Sequence, residues 1–296
     1  LVPPRHDFLH VGGMEAIKGI LREVAEAVRE GHTTQVPMGM IFVGPMGTGK
    51  TFVAEAFARE SGLTCLKLGN FRERWVGSTE SNLERVLDLI EALGFVLLII
   101  DEADRTLSTG SGSDGGVNSR VIARLKEFMS KTSHRGRVVM LMMTNRPDKL
   151  DADLKRPGRF DLKLPFFFPE SAEDRIAILK ALTRKNSLTM EPSVDLESVA
   201  AATGGYSGAE LESVLLVANR LAAQRSSPSL NDADLAAAVA DVIPSRDTRM
   251  LAYMELLAVF EASSKRLLPE RFEQLTTPEI QAKLDALRAS LGRRLY

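Results

Sequence analysis

Hydrophobic positions form two alternating patterns along the first two thirds of the chain. Short apolar runs bounded by turn residues are typical of buried strands, whereas apolar residues recurring every three or four positions are typical of helices. Their alternation predicts an α/β fold, a parallel sheet flanked by helices. The predicted strands cover residues 38–43, 64–68, 95–100, 137–143 and 161–164, and the helices between them begin at residue 50 or cover 79–92 and 118–131.

The pattern changes near residue 169, after which Ala, Leu and Glu become frequent and convincing strands end. Ser207, with Glu210 three positions later, indicates a capping box at the start of one helix. We predict an α/β domain (1–169), a smaller all-helical domain (170–245) and a C-terminal helical extension (246–296), whose apolar face packs on the helical domain or on a neighbouring subunit. The helices predicted in these last two parts cover residues 172–183, 195–202, 207–224, 231–242, 250–268 and 277 towards 292.

Composition and charge narrow the function. The chain has 38 Lys+Arg and 39 Asp+Glu, a net charge of -1, so no global basic surface is available to nucleic acid. The longest apolar run, 95–100, is far shorter than the roughly 20 residues of a membrane span. The single cysteine, Cys65, is expected to be a core residue in a reducing compartment. We expect a cytoplasmic protein, and a chain beginning at Leu1 is expected to be a piece of a longer one.

The motif GPMGTGKT follows a predicted strand and opens a helix, which is the context of a phosphate-binding loop. Glycines let backbone N–H groups face the phosphates, and the helix N-terminus favours negative charge. Lys50 is expected to reach the β- and γ-phosphates, and Thr51 to offer its hydroxyl to Mg²⁺. The predicted nucleotide contacts are Gly44, Pro45, Met46, Gly47, Thr48, Gly49, Lys50, Thr51 and Phe52.

Two further predicted strands end in polar residues. In the run FVLLIIDEAD, Asp101 and Glu102 directly follow the apolar strand. We assign Asp101 to the magnesium shell and Glu102 to the general base. Asp104 is expected to face solvent or to cap the next helix. Asn145 follows the run RVVMLMMT. An amide at this position suits orientation of the attacking water, because it carries both a donor and an acceptor. A solvated acidic pair and an Asx turn are the structural alternatives for these positions.

At this point the chain resembles the AAA family of AAA+ ATPases over about residues 8–242. The motifs HVGG, GPMGTGKT, RWVGSTE, LLIIDEAD, MMTNRPDKLD, KRPGRFD and GYSGAE occur in the family's order. The resemblance implies that Asn145 is the first sensor and that Arg156 and Arg159 are arginine fingers acting on ATP in the neighbouring subunit. It also implies a hexameric ring, adenine contacts from Val11 and Gly12, and a lid over the nucleotide at Gly208 and Ala209.

The residues themselves support the arginine assignment less strongly. An arginine donates in a rigid fork and stabilises charge on a transferring phosphoryl group. Arg156 and Arg159 flank Pro157 and Gly158, a turn from which they can project outward. Without the family resemblance, local salt bridges would be the first interpretation of both.

The segment FRERWVGSTES resembles the family's first pore loop, which grips an extended polypeptide in the central channel. Trp75 falls on the aromatic position, between Arg74 and Val76, and the alternative is a local packing anchor. In its use of tryptophan at this position, the chain is similar to the subgroup that disassembles membrane-remodelling filaments or severs microtubules. The glycine-rich segment 109–117 matches the second pore loop by position alone.

Some positions depart from the family pattern. His10 replaces a common Asp, and Met46 replaces a common Pro, yet neither change removes a phosphate or metal ligand. The segment HDFLH has Asp where a zinc protease helix has Glu, and no further ligand cluster accompanies it, so we predict a linker. We find no zinc motif after the ATPase core of the kind that membrane-bound AAA proteases carry. The lid helix opens SGAELES without the arginine usual in initiators and clamp loaders, which favours the protein-remodelling branch.

We therefore expect a ring that hydrolyses ATP with Mg²⁺ and threads, unfolds or disassembles protein substrates. A nucleotide-dependent scaffold with little turnover is one alternative, and intact Glu102, Arg156 and Arg159 argue against it. The other alternative is a nucleic-acid motor in which Arg72 and Arg74 contact phosphates beside a stacking tryptophan. The balanced charge disfavours it.

Overall fold

The computed structural model describes residues 6–68, 79–107 and 115–292. A five-stranded parallel sheet lies at the centre of the described residues, in the order β2-β3-β4-β1-β5. This confirms the predicted α/β fold, and no strand end differs from the prediction by more than one residue. The strands are β1 (Gly39–Val43), β2 (Thr64–Leu68), β3 (Val96–Ile100), β4 (Val138–Thr144) and β5 (Phe160–Pro165).

Every residue of the three central strands is buried, because helices cover both faces of the sheet. Alternate residues of one strand therefore belong to two different apolar clusters, one on each face. Cys65 lies in one of these clusters, as expected of a core thiol. The helices of this part are α1 (Glu15–Glu30), α2 (Lys50–Ser61), α3 (Thr79–Leu93), the short α4 (Ala103–Thr106) and α5 (Gly115–Ser130).

Helix α1 is an element that the sequence analysis did not predict. Its buried residues include Ile17, Leu21, Val24 and Val28, spaced three or four apart, so the signal for an amphipathic helix is present in the sequence. The helix packs against α2 and so covers one face of the sheet. Gly31 ends it in the left-handed conformation that favours glycine.

A helical unit with its own apolar cluster follows the sheet. Two of its helices begin with capping boxes, and one is the predicted pair of Ser207 and Glu210. A polar N-cap of this kind contributes about 1 kcal/mol to helix stability. The helices are α6 (Ala172–Lys185), α7 (Leu196–Ala202), α8 (Gly208–Gln224) and α9 (Asp232–Asp241).

The C-terminal extension differs from the prediction in two ways. The helix predicted over 250–268 ends at Glu261, because Ser263 leaves the helix and exchanges hydrogen bonds with the backbone of Lys163 on edge strand β5. Its apolar face packs on β5 and on the turn Pro147–Lys149, which corrects the expectation that it packs on the helical unit, whereas packing on a neighbouring subunit remains a prediction. The elements are α10 (Thr248–Glu261), the turn Lys265–Leu267, α11 (Glu270–Glu273) and α12 (Thr277–Leu291).

None of the helices in the described ranges is both long enough and apolar enough to cross a membrane. The division into three parts at residues 169 and 245 remains a prediction. The described contacts give it a physical basis, since the sheet, the helical unit and the C-terminal helices have separate apolar clusters.

Candidate functional site

The loop between β1 and α2 turns back on itself at the carboxyl edge of the sheet. Gly47 and Gly49 have φ angles of 80° and 87°, a left-handed conformation that is costly for residues with a Cβ atom. Thr48 is buried, and its hydroxyl donates to the carbonyl of Pro45 at 2.9 Å. Helix α2 then starts at Lys50, so its free N–H groups point into the loop. This geometry is what a phosphate-binding loop requires.

The Lys50 ammonium lies at the base of this loop. It donates to the carbonyls of Gly44 and Pro45, each at 2.7 Å, and to Oδ1 of Asn145 at 2.8 Å. Removal from water lowers the pKa of Lys50 to about 7, although the carboxylates of Asp101 and Asp104 act in the opposite direction. Lys50 therefore joins the phosphate-binding loop to the end of β4.

The acidic pair at the end of β3 adopts two different environments. One Asp101 oxygen accepts from the Lys67 ammonium at 2.8 Å, and the other accepts from the backbone N–H of Glu102 at 3.0 Å. Glu102 has a φ of 47°, which is unusual for a residue other than glycine, and its exposed carboxylate pairs with Arg105 at 3.1 Å. The two neighbouring carboxylates therefore have different cationic partners, Lys67 and Arg105.

Asp104 corrects one expectation from the sequence. It is half-buried, and its carboxylate accepts a hydrogen bond of 2.6 Å from the hydroxyl of Thr144 at the end of β4. The same hydroxyl accepts from the backbone N–H of Arg146 at 2.9 Å. Asp104 therefore does not face solvent. It fixes the end of β4, next to Asn145.

A cleft of about 820 Å³ connects these groups. Lining residues include Thr51 and Asp101, whose hydroxyl and carboxylate oxygens are the hard ligands that Mg²⁺ prefers, so the donor set fits that ion. Gly44 and Pro45 contribute through their carbonyls to Lys50 instead of lining the cleft. The other predicted nucleotide and catalytic residues on the cleft are Val11, Gly12, Met46, Gly47, Thr48, Gly49, Lys50, Phe52, Glu102, Asn145, Gly208 and Ala209.

The far end of the cleft lies between the N-terminal segment and helix α6. A Cβ atom on Gly12 would lie 2.3 Å from the carbonyl oxygen of Ala177, so only glycine allows this close approach. Helix α8 reaches the phosphate-binding loop directly, where the N–H of Ala209 donates to the carbonyl of Gly47 at 3.2 Å. The helical unit thus contacts the nucleotide cleft at both ends.

The segment preceding Val11 is not the linker that the sequence predicts. Phe8 is only 2% exposed, and the turn Phe8–His10 packs between α2 and α6. The His6 ring stacks on Phe52 with a centroid distance of 3.7 Å, and burial lowers the pKa of His6. Among the described residues, no group of three or more His, Cys, Asp or Glu side chains is placed to hold a metal.

The two predicted arginine fingers lie on a turn outside the cleft of their own chain. Arg156 is exposed and pairs with Asp153 at 3.0 Å, whereas half-buried Arg159 donates to the backbone carbonyl of Asp153 at 2.8 Å. Gly158 has a φ of 87°, and its N–H donates to the Asp161 carboxylate. The predicted pore-loop residues Arg74, Trp75 and Val76, and most of segment 109–117, lie outside the described residues.

Sequence reasoning missed several polar side chains of the cleft. Lys67, Arg146 and Lys185 all line it, and the Lys185 ammonium lies 5.1 Å from the centroid of the Phe52 ring. Lys67 is the penultimate residue of a predicted strand, and the carboxyl ends of parallel strands are where such sheets bind ligands, so its position was a signal. Arg146 directly follows the predicted site residue Asn145, and that position was its signal. No local pattern marks Lys185, because only the packing of α6 brings it to the cleft.

A parallel sheet whose strand ends carry a phosphate-binding loop, an acidic pair and a polar amide defines a nucleotide-hydrolysing enzyme of the P-loop class. Residues 40–167 match the ATPase family associated with various cellular activities, AAA, and residues 193–237 match the AAA+ lid domain. The chain belongs to the AAA family of ATPases. Its nucleotide is ATP, with Mg²⁺ as the accompanying metal.

Individual relatives belong to the protein-remodelling branch. An ATP-dependent zinc metalloprotease, FtsH 1 of Thermomicrobium roseum, is 33% identical over 270 residues, which cover 86% of this chain and 40% of that protein. A cell division cycle protein 48 homologue of Archaeoglobus fulgidus is 31% identical over 264 residues, 86% of this chain and 36% of that protein. The chain therefore spans less than half the length of these curated relatives.

The lowered pKa of Lys50 predicts proton uptake when Mg-ADP binds. At pH 8, a group with a pKa of about 7 is mostly neutral, and phosphate oxygens favour its charged form, so binding should take up close to one proton. Uptake should shrink as the pH falls below 7, and affinity should fall as the pH rises from 7 to 9. Calorimetric titration in buffers of different ionisation enthalpy measures this.

The control is Lys50→Arg, whose guanidinium stays charged over this range and should show no uptake from this position. Equal affinity at pH 7 and 9, with no proton uptake by the unmodified chain at pH 8, would contradict the lowered pKa.

Proposed function

We propose that this chain is the ATPase module of a ring-forming motor that threads, unfolds or disassembles protein substrates. The observation that carries the proposal is the joining of the phosphate-binding loop to Asn145 through Lys50, beside the acidic pair of β3. The likeness to FtsH and to cell division cycle protein 48 supports polypeptides as the substrate class. A hexameric ring rests on the same likeness.

The chain's own residues bind and orient the nucleotide. Backbone N–H groups of the loop and the Lys50 ammonium bind the phosphates, while Thr51 and Asp101 hold Mg²⁺. When bound, Mg²⁺ supplies positive charge against the phosphate oxygens. One Asp101 oxygen already contacts the Lys67 ammonium, so the metal ion and this ammonium would share the carboxylate.

Glu102 and Asn145 act on the water that attacks the γ-phosphate. The Glu102 carboxylate is exposed at the cleft and pairs there with Arg105, and an exposed ion pair of this kind contributes about 1 kcal/mol or less, which sets a low cost for turning the carboxylate from Arg105 towards a water molecule. Asn145 contacts Lys50 through its amide oxygen, which leaves its amide N–H groups directed elsewhere in the cleft. Glu102 then accepts a proton from the water, and Asn145 orients it.

Replacing Glu102 with Gln should separate binding from hydrolysis. The phosphate and magnesium ligands remain in Glu102→Gln, so nucleotide affinity should stay within a few fold, whereas turnover should fall by about 10² or more because water activation is lost. Lys50→Ala should instead lose nucleotide binding. Fluorescent nucleotide titration and phosphate release measure the two effects, and near-normal turnover of Glu102→Gln would exclude it as the base.

The arginine turn is proposed to complete the site of the adjacent subunit. Arg156 and Arg159 are not among the described residues that line their own cleft, and the exposed side chain of Arg156 is available to another chain. A guanidinium in such a position stabilises charge that develops on the transferring phosphoryl group. Specific activity should therefore rise with protein concentration.

Mixing variants tests whether the arginines act between chains. Arg156→Ala and Arg159→Ala should each lower turnover by about 10³-fold and still bind ATP. Adding Lys50→Ala chains, which have intact arginines but a defective loop, should restore part of the activity. No restoration at any mixing ratio would show that the arginines act within their own chain or only stabilise the turn.

Trp75 is proposed to grip the polypeptide. Trp75→Ala should keep basal hydrolysis within a few fold and abolish ATP-dependent unfolding of a fluorescent protein with an unstructured tail. Trp75→Tyr is the matched control, because an aromatic ring retains sequence-tolerant contact with passing side chains and should preserve most unfolding. A large fall in the melting temperature of Trp75→Ala would identify a core anchor instead.

A further inference from the structure

The N-terminal half of α10 contacts the loop that carries Asn145. Tyr253 is 1% exposed, and its hydroxyl donates to Oδ2 of Asp148 at 3.1 Å. Asp148 in turn accepts two hydrogen bonds from the guanidinium of Arg146, each 2.9 Å long. Arg146 is the residue directly after Asn145, and its guanidinium lies 5.3 Å from the centroid of the Tyr253 ring. Asn145 is thus one peptide bond from a partly buried ion pair, whose side chains are 11% and 19% exposed and which α10 contacts.

Helix α12 completes this cluster from the other side. The Nε–H of Arg288 donates to the Tyr253 hydroxyl at 3.0 Å, so that hydroxyl both donates and accepts. Although burial alone would raise it, the Arg146 guanidinium holds the pKa of Asp148 below its ordinary value. Such a cluster favours one geometry, because moving Asp148 away would leave the buried guanidinium of Arg146 without this partner.

The C-terminal end of α10 contacts a second loop of the site. The Glu261 side chain is 8% exposed and pairs with Lys155, and with Lys163 of β5 at 3.2 Å. Lys155 is the residue directly before Arg156, and its ammonium also donates to the carbonyl of Pro147 at 3.1 Å. Glu261 therefore fixes the start of the arginine turn.

A rigid helix connects these two contacts. Glu261 lies eight positions after Tyr253, which corresponds to a rise of about 12 Å along an α-helix. Between them, Ala258 is fully buried against the sheet, and Met254 lines the nucleotide cleft. A displacement of the Asn145 loop that moved Tyr253 would therefore also move Glu261 and the arginine turn, since a helix transmits motion along its axis better than a loop does.

We propose that α10 couples the two halves of catalysis, with Tyr253 as a positioning residue for Asn145 in the chain's own site and Glu261 as a positioning residue for Arg156 in the neighbour's site. The inference rests on the proposed roles of Asn145 and Arg156. It predicts that two residues of one helix affect two different active sites, which general stabilisation of the fold would not produce.

The first test uses homogeneous assemblies. Tyr253→Phe keeps the ring over Arg146 and removes only the hydroxyl. We expect kcat to fall by about fivefold, the factor that the one hydrogen bond to Asp148 in the Asn145 loop is worth, while KM stays nearly unchanged. Glu255→Gln is the matched control on the same helix. Glu255 pairs with Arg271 at 2.6 Å, away from both loops, and its loss should leave kcat unchanged. An unchanged kcat for Tyr253→Phe would overturn the assignment of Tyr253.

The second test places each change on one side of the interface. In a mixture of Arg156→Ala and Lys50→Ala chains, only the Arg156→Ala chain hydrolyses ATP, and only the Lys50→Ala chain donates arginines. Tyr253→Phe should lower the recovered activity when added to the Arg156→Ala chain and not when added to the Lys50→Ala chain. Glu261→Gln should show the opposite pattern.

The outcomes distinguish this inference from the function on which it rests. Activity that falls equally on either side, or that follows the melting temperature of each variant, would mean that α10 merely braces the fold, and would overturn the coupling. A starting mixture without recovered activity would instead refute arginine action between chains, and the role of Glu261 falls with it. The kcat of Tyr253→Phe in homogeneous assemblies still decides the role of Tyr253.

Discussion

The site depends on one partly buried lysine, Lys50. An ammonium group at the base of a cleft is costly unless oxygen atoms surround it, and Lys50 meets this requirement with two loop carbonyls and the Asn145 amide. Those oxygens come from the ends of β1 and β4, which pair in parallel with Val43 opposite Thr144. The register of the sheet therefore fixes the distance between the phosphate-binding loop and Asn145, and a slip by one residue would separate them.

Much of this could be predicted because the information is local. The central strands are continuous apolar runs between turn residues, and the phosphate-binding loop is contiguous in sequence. The polar pairs around the cleft are different. Lys67 and Asp101 are 34 residues apart, and Tyr253 and Asp148 are 105 apart, so neither pair leaves a pattern in the sequence. Asp104 was misjudged for the same reason, since its partner Thr144 lies on another strand.

The end of α10 shows how tertiary contacts override a helical pattern. The apolar pattern of α10 gives way after Glu261 to ASSKRLL, which does not by itself forbid a helix, yet edge strand β5 offers backbone groups at Lys163, and Ser263 pairs with them. Covering an exposed sheet edge removes a surface on which other chains could add a strand. The extension therefore protects the sheet as well as contacting the nucleotide loops, and both follow from its position beside β5.

The left-handed backbone of Glu102 has a consequence for the evolution of this chain. A residue with a Cβ atom stores about 1 kcal/mol or more of strain in that conformation, which glycine would relieve. Selection for thermal stability alone would thus favour glycine in place of Glu102, although glycine lacks the carboxylate assigned to water activation. Glutamate at such a position gives up some stability to keep a carboxylate at the cleft.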